Sequence, residues 1–207
     1  MKKIGNLFIL TGIVVLVFIL YAKGKTYYEQ KKLIEEYTSL SFSETAPEEK
    51  ADVPAETGDM IGILEIPKID LKTPMTEGAE PENIRYAVGH LPSSSSTNEL
   101  GKKNKNFAIA GHRSYTYGKF FNRLDELENN DEVTIYSQNK VLIYRVFDKK
   151  IVKPSNVDVI NPIEEKSIVT LITCHPEYSD KQRLIVFGEL VSERKMDGSE
   201  IEKTLQQ

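Results

Sequence analysis

The chain has 207 residues, 28% charged and 40% hydrophobic, with a formal net charge of −4, which is enough for one domain of ordinary size plus appendages. There is no basic excess to suggest nucleic acid, and three histidines with one cysteine are too few for a closed structural zinc site of four nitrogen or sulfur ligands. The single cysteine excludes an intramolecular disulfide and leaves a buried residue, an intermolecular link or a reactive thiol.

From Ile4 to Ala22, IGNLFILTGIVVLVFILYA carries no charge over 19 residues, close to the length a helix needs to cross the hydrocarbon core. A cleaved signal peptide has a shorter apolar region and a small-residue cleavage site. The flank YAKGKTYYEQ offers only Ala22 and Gly24, so residues 1–22 read as a retained transmembrane anchor. Lys2 and Lys3 precede the segment, and Lys23, Lys25, Lys31 and Lys32 follow it. The positive-inside count therefore does not favour a cytoplasmic N-terminus. Residues 23–40 read as a juxtamembrane helix or stalk. Residues 41–59, SFSETAPEEKADVPAETGD, hold six acidic residues, one lysine and two prolines with no apolar periodicity, which predicts a disordered spacer.

The folded domain is expected over residues 60–191. MIGILEIPKIDLKTPM gives short apolar runs broken by Pro67 and Pro74, a pattern of short strands. EPENIRYAV reads as one or two helical turns. NFAIAGH is a strand ending in glycine and His112. KFFNRLDELENND carries Phe120, Phe121, Leu124 and Leu127 at helical spacing. EVTIYSQNKVLIYRVFDKKIV reads as a hairpin turning near Gln138 and Asn139. SIVTLITC and RLIVFGEL are the last two strands, and residues 192–207 form a polar tail expected to fray. Many short strands with peripheral helical pieces predict an all-β barrel or sandwich.

Three residues at strand ends carry chemistry. Cys174 closes SIVTLITC and Arg183 opens RLIVFGEL. In an antiparallel hairpin they face each other, with residues 175–182 as the loop. His112 closes another strand. A thiolate attacks an acyl carbon, a histidine exchanges protons with the leaving and incoming amines, and a guanidinium stabilises an oxyanion or holds substrate carbonyls. Each residue alone has a plainer reading: a strand-end cysteine as a small buried hydrophobe, Arg183 on the surface, His112 in a turn. His175 is adjacent to Cys174, but neighbours in an extended strand point to opposite faces, which argues against direct pairing.

The joint pattern resembles the sortase family, membrane-tethered cysteine transpeptidases of Gram-positive bacterial surfaces. TLITC fits the family's T-L-x-T-C motif, IAGHR the segment with its histidine, and QRLIV the strand with its arginine. GILEIPKIDLKTPM and YAVGH match its N-terminal strands. The resemblance implies an eight-stranded β-barrel with Cys174 as nucleophile, His112 as acid/base and Arg183 as the oxyanion or substrate-positioning group. Thr173, Leu171 and His90 are the candidate substrate-binding positions, although His90 also reads as a loop histidine with no direct role. The implied substrate is a C-terminal Leu-Pro-x-Thr-Gly-like sorting signal, cleaved after Thr through a thioester and joined to an amine of lipid II or another acceptor. The implied location is the cell membrane, single-pass, with the domain on the extracellular side. No cofactor is expected. No structural calcium is expected either, because Glu99 stands among lysines in one relevant loop and Glu164 and Glu165 lack clear partners in the other, whereas hard cations want several carboxylates. The short HPEYSDKQ loop leans toward class D over classes A and E. The same residues would serve a cysteine hydrolase with water as acceptor. A third reading is a non-catalytic anchored binding module with Cys174 inert.

Overall fold

The computed structural model describes residues 2–41, 55–113 and 120–196. The expectations for a spacer across 42–54 and for a tail beyond 196 lie outside the described residues. Helix α1, Lys2–Ser41, is continuous over 40 residues, about 60 Å at the helical rise. It joins the apolar segment to the stalk without a break, since residues 23–40 contain no proline and only Gly24 as a weak helix former. Large apolar side chains from Ile4 to Tyr21 stand exposed along it, and the helix is long and apolar enough to cross a membrane.

Eight strands follow: β1 Met60–Ile66, β2 Leu71–Glu77, β3 Val88–His90, β4 Lys105–Ala110, β5 Glu132–Ser137, β6 Lys140–Val152, β7 Ser167–His175 and β8 Gln182–Lys195. They close into a barrel in the order β1-β2-β3-β4-β7-β8-β6-β5. Two neighbouring pairs, β2–β3 and β4–β7, are parallel; the other six are antiparallel. The barrel expectation is therefore met. Strand alternation sorts the side chains. Leu64, Ile66, Phe107, Ile109, Val169 and Leu171 belong to the main core. Ile168, Ile185 and Phe187 lie on the other face and pack with Val159 in a second cluster, joined by Phe147 and Ile172. The connection carrying Val159, with a 3-10 turn at Val157–Ile160, is fixed by Asn106, whose Nδ2 donates to the carbonyls of Val159 at 3.1 Å and Asn161 at 3.0 Å.

The β5–β6 hairpin turns at Gln138 and Asn139 as expected. Both have positive φ, 52° and 58°, as a tight two-residue turn requires. Two expectations need correction. KFFNRLDELENND forms no helix beyond a 3-10 turn at Leu124–Glu126. Phe120, Phe121, Leu124 and Leu127 are all buried in the core, so their spacing reflects pockets in the barrel rather than a helical face. EPENIRYAV, expected as one or two helical turns, forms a single 3-10 turn, Asn83–Arg85. The chain does not fray from residue 192: β8 continues to Lys195, paired with β6 out to Lys140. Its last side chains are exposed, so backbone pairing extends the strand where no apolar pattern could signal it.

Candidate active site

Cys174 and Arg183 are directly opposed in the β7–β8 ladder. The loop between the strands is 176–181, because β7 runs on through His175 and β8 starts at Gln182. Directly opposed residues project from the same face of a sheet. Two residues along from them, Ile172 and Ile185 are also paired and belong to the second apolar cluster. The thiol and the guanidinium thus stand on the outer face of the barrel, above an apolar floor. Arg183 is anchored by its Nη1, which donates to the carbonyls of Asp180 at 2.8 Å and Gln182 at 3.0 Å.

His112 comes to the same level through the parallel β4–β7 pairing. Ala110, the last residue of β4, is registered with Ile172, and continuing that register by two residues would bring His112 to the level of Cys174. Contacts on both sides of this position hold the register. Below it, Gly111 N–H donates to the Ile172 carbonyl at 3.1 Å, and Thr173 Oγ1 donates to the Gly111 carbonyl at 2.8 Å. Above it, Arg113 Nη1 donates to His175 Nδ1 at 2.9 Å. The His112 carbonyl accepts from Phe121 N–H at 3.1 Å, so the chain on the far side of the loop also pins the histidine. Gly111 is required here by close approach: a Cβ would sit 2.7 Å from Phe121 Cδ2. Partial burial pushes the His112 imidazole below its ordinary value by disfavouring the charged form.

The structure opposes Cys174 and Arg183 and ties the chain on either side of His112 to β7; it sets the other three candidates elsewhere. Leu171 lies in the barrel core. Thr173 is buried with its hydroxyl spent on Gly111. Alternation explains both: they occupy the face opposite Cys174, and the residue that shares its face is Ile172. His90 is not in a loop but ends β3, 1% exposed. Its Nδ1 donates to the Glu77 carboxylate at 2.9 Å, Nε2 lies 3.0 Å from the Ser95 carbonyl, and the ring stacks on Phe107 at 4.2 Å. With both nitrogens engaged and the ring covered, His90 has no surface to offer a ligand. Sequence reasoning missed Arg113, although it stands in IAGHR. Its side chain is 4% exposed and bridges His175 to Asp125, with Nη2 2.9 Å from Asp125 Oδ1. Among the described residues, no group of three or more His, Cys, Asp or Glu is placed to hold a metal ion.

The model of the sortase domain matches residues 64–191. The chain belongs to the sortase family. It is similar to Sortase SrtE1 of Streptomyces coelicolor, 31% identical over 204 residues, covering 93% of this chain and 58% of that protein. It is also similar to Sortase D of Bacillus subtilis, 30% identical over 161 residues, covering 76% of this chain and 77% of that protein. The chain thus spans less than two thirds of the length of the Streptomyces relative. Among solved sortase structures, sortase C of Clostridium perfringens with the C-terminal cell wall sorting motif superimposes with a TM-score of 0.63 at 28% identity, covering 78% of this chain and 86% of that one. The relatives with class letters E and D match at nearly equal identity, so similarity does not separate these classes.

Proposed function

We propose that this sortase is a membrane-anchored cysteine transpeptidase in which Cys174, His112 and Arg183 do the chemistry. The observation that supports the reading is Cys174 opposite Arg183 in the ladder, with the segment that carries His112 tied to β7 by contacts at Gly111 and Arg113. The Cys174 thiolate attacks the Thr carbonyl carbon of a Leu-Pro-x-Thr-Gly-like segment. The N–H groups of Arg183 steady the oxyanion of the tetrahedral intermediate. The His112 imidazolium gives its proton to the glycine nitrogen as the C–N bond breaks, leaving a thioester. Burial favours this step, because an imidazolium with a depressed pKa is a stronger acid. The neutral His112 then takes a proton from an acceptor amine as it attacks the thioester, and the Cys174 thiolate leaves. Ile172, half-buried on the same face as Cys174, gives the apolar residues of the segment a surface to pack on.

The acceptor amine is proposed to be that of lipid II or another cell-wall amine. The apolar part of α1 anchors the enzyme in the cell membrane, with the barrel outside. The short 176–181 loop supports class D.

The test is incubation of the purified chain with a sorting peptide, with and without an amine, read by mass spectrometry. The expected result is a ligated product with amine, a thioester adduct on Cys174, and neither product with Cys174→Ala. Hydrolysed peptide alone at saturating amine would make it a hydrolase. Peptide cleavage by Cys174→Ala would remove the nucleophile assignment. No turnover, with Cys174 inert to iodoacetamide, would support a binding module.

A further inference from the structure

The juxtamembrane half of α1 is not a free stalk. Thr26, Glu29, Gln30, Leu33, Ile34 and Tyr37 are half-buried at spacings of three and four residues, whereas Lys25, Tyr28, Lys31 and Lys32 between them are exposed. This is one helical face laid against another surface. Gln30 Nε2 donates to Thr73 Oγ1 of β2 at 3.4 Å. Tyr37 OH donates to the Ile61 carbonyl of β1 at 3.3 Å and accepts from Gln138 N–H in the β5–β6 turn at 3.4 Å.

These contacts fix a direction. Strand β1 is antiparallel to β2, β2 parallel to β3, β3 antiparallel to β4, and β4 parallel to β7. Strands β1, β4 and β7 therefore run the same way, and the ends of β4 and β7, which carry the candidate site, lie at the same end of the barrel as Ile66. Tyr37 sits at the other end, by Ile61 and the β5–β6 turn. Gln30 sits nearer the site end, at Thr73, whose partner in β1 is Leu64. The seven helical residues from Gln30 to Tyr37 and the three strand residues from Leu64 to Ile61 each span about 10 Å. Helix and strand thus lie side by side and run in opposite directions. Followed toward its N-terminus, α1 leaves the barrel at the site end. From the level of Leu64 to Ile66 is about 7 Å, or about five helical residues, which reaches Lys25. The uncharged run ends at Ala22, within a further turn.

We propose that α1 is a bracket rather than a tether, and that it turns the rim carrying Cys174, His112 and Arg183 toward the bilayer surface. The partner of this rim is the membrane interface itself, so the groove opens toward substrates attached to lipid or emerging from the bilayer. The far end, with the β5–β6 turn, points away. The inference rests on the reading of residues 4–22 as a membrane anchor.

The test uses the full chain in vesicles, with Cys174→Ala removing the one native thiol. A single fluorescent label is placed at the rim through Lys181→Cys or at the far turn through Asn139→Cys, both exposed positions. Vesicles carry a lipid with a nitroxide headgroup as quencher. Flotation first establishes that the chain is bound. The expected result is severalfold stronger quenching at Lys181→Cys than at Asn139→Cys. Adding Leu33→Glu with Ile34→Glu, a lesion outside the barrel core, should collapse that difference while the chain still floats and the circular dichroism of the barrel is unchanged. A floating chain with equal quenching, or with stronger quenching at the far turn, overturns the orientation. A difference that survives the double substitution overturns the bracket. A chain that does not float overturns the anchor reading, and the orientation with it.

Discussion

Replacing Thr173 by Val keeps the shape of a buried side chain and removes one hydroxyl. That hydroxyl donates to the Gly111 carbonyl at 2.8 Å, and both residues are buried. The Val variant leaves the carbonyl without its side-chain donor in a place water does not reach, at a cost of about 1–3 kcal/mol. For a domain of this size each kcal/mol lowers Tm by about 3–4 °C, so a fall of about 3–12 °C is expected. The activity loss should exceed what the melt implies, because this bond sets where the end of β4 lies relative to Cys174. A shift on the order of 1 Å in such a contact can cost about a hundredfold in rate. Thr173→Ser retains the donor and should recover most of both. The assays are thermal unfolding by circular dichroism and turnover of a sorting peptide at a temperature well below either Tm. A Val variant with unchanged Tm and kcat would refute the reasoning. So would a Ser variant as impaired as Val, since the methyl rather than the hydroxyl would then be the feature that counts.

Arg183→Lys keeps the charge but loses the planar fork held by the Asp180 and Gln182 carbonyls. A fall in kcat on the order of a hundredfold is expected, in the range of losing one oxyanion donor; steady-state kinetics with near-normal kcat/KM would contradict it. An NMR titration of the His112 ring should give a midpoint below the ordinary imidazole value of about 6.5, since burial disfavours its protonation. The unfolded chain then binds this proton more readily than the folded one. His112 therefore lowers stability only as pH falls below about 6.5 toward its folded value, and has no such effect above. A midpoint at or above the ordinary value would overturn the burial argument. Arg113→Ala should lower stability by about 1.5–3 kcal/mol, the range for a charged hydrogen bond, with the half-exposed Asp125 contributing little. Urea melts would read the change, and an unaltered midpoint would rule out the bridge between His175 and Asp125 as a stabilising element.

The barrel and the opposition of Cys174 and Arg183 were legible because the signals were local or were read with the pairing in mind. A two-residue turn between apolar runs marks the β5–β6 hairpin, and Cys174 and Arg183 bracket a loop short enough to oppose them. Leu171 and Thr173 were misplaced by reading a motif as a unit. The period of two along SIVTLITC would have given Ile172 instead. His90 could not be placed from sequence, because its partner Glu77 and its stacking ring Phe107 are brought to it by β2 and β4. Arg113 gave no periodic signal at all; its role exists only once β7 lies beside it. The Phe120–Leu127 cluster misled for a related reason, since helical spacing also suits an irregular segment whose apolar side chains are buried in the core.

The parallel pairing of β4 with β7 also bears on when the thiol acquires its partners. Cys174 and Arg183 belong to a local hairpin that can close early, but Arg113 and His175 are separated by 62 residues in sequence. Long-range pairing pays its loop-closure entropy before contacts reward it, so it forms slowly. Closing the parallel β4–β7 pair, rather than the β7–β8 hairpin, is therefore expected to be the slower of the two steps that surround Cys174.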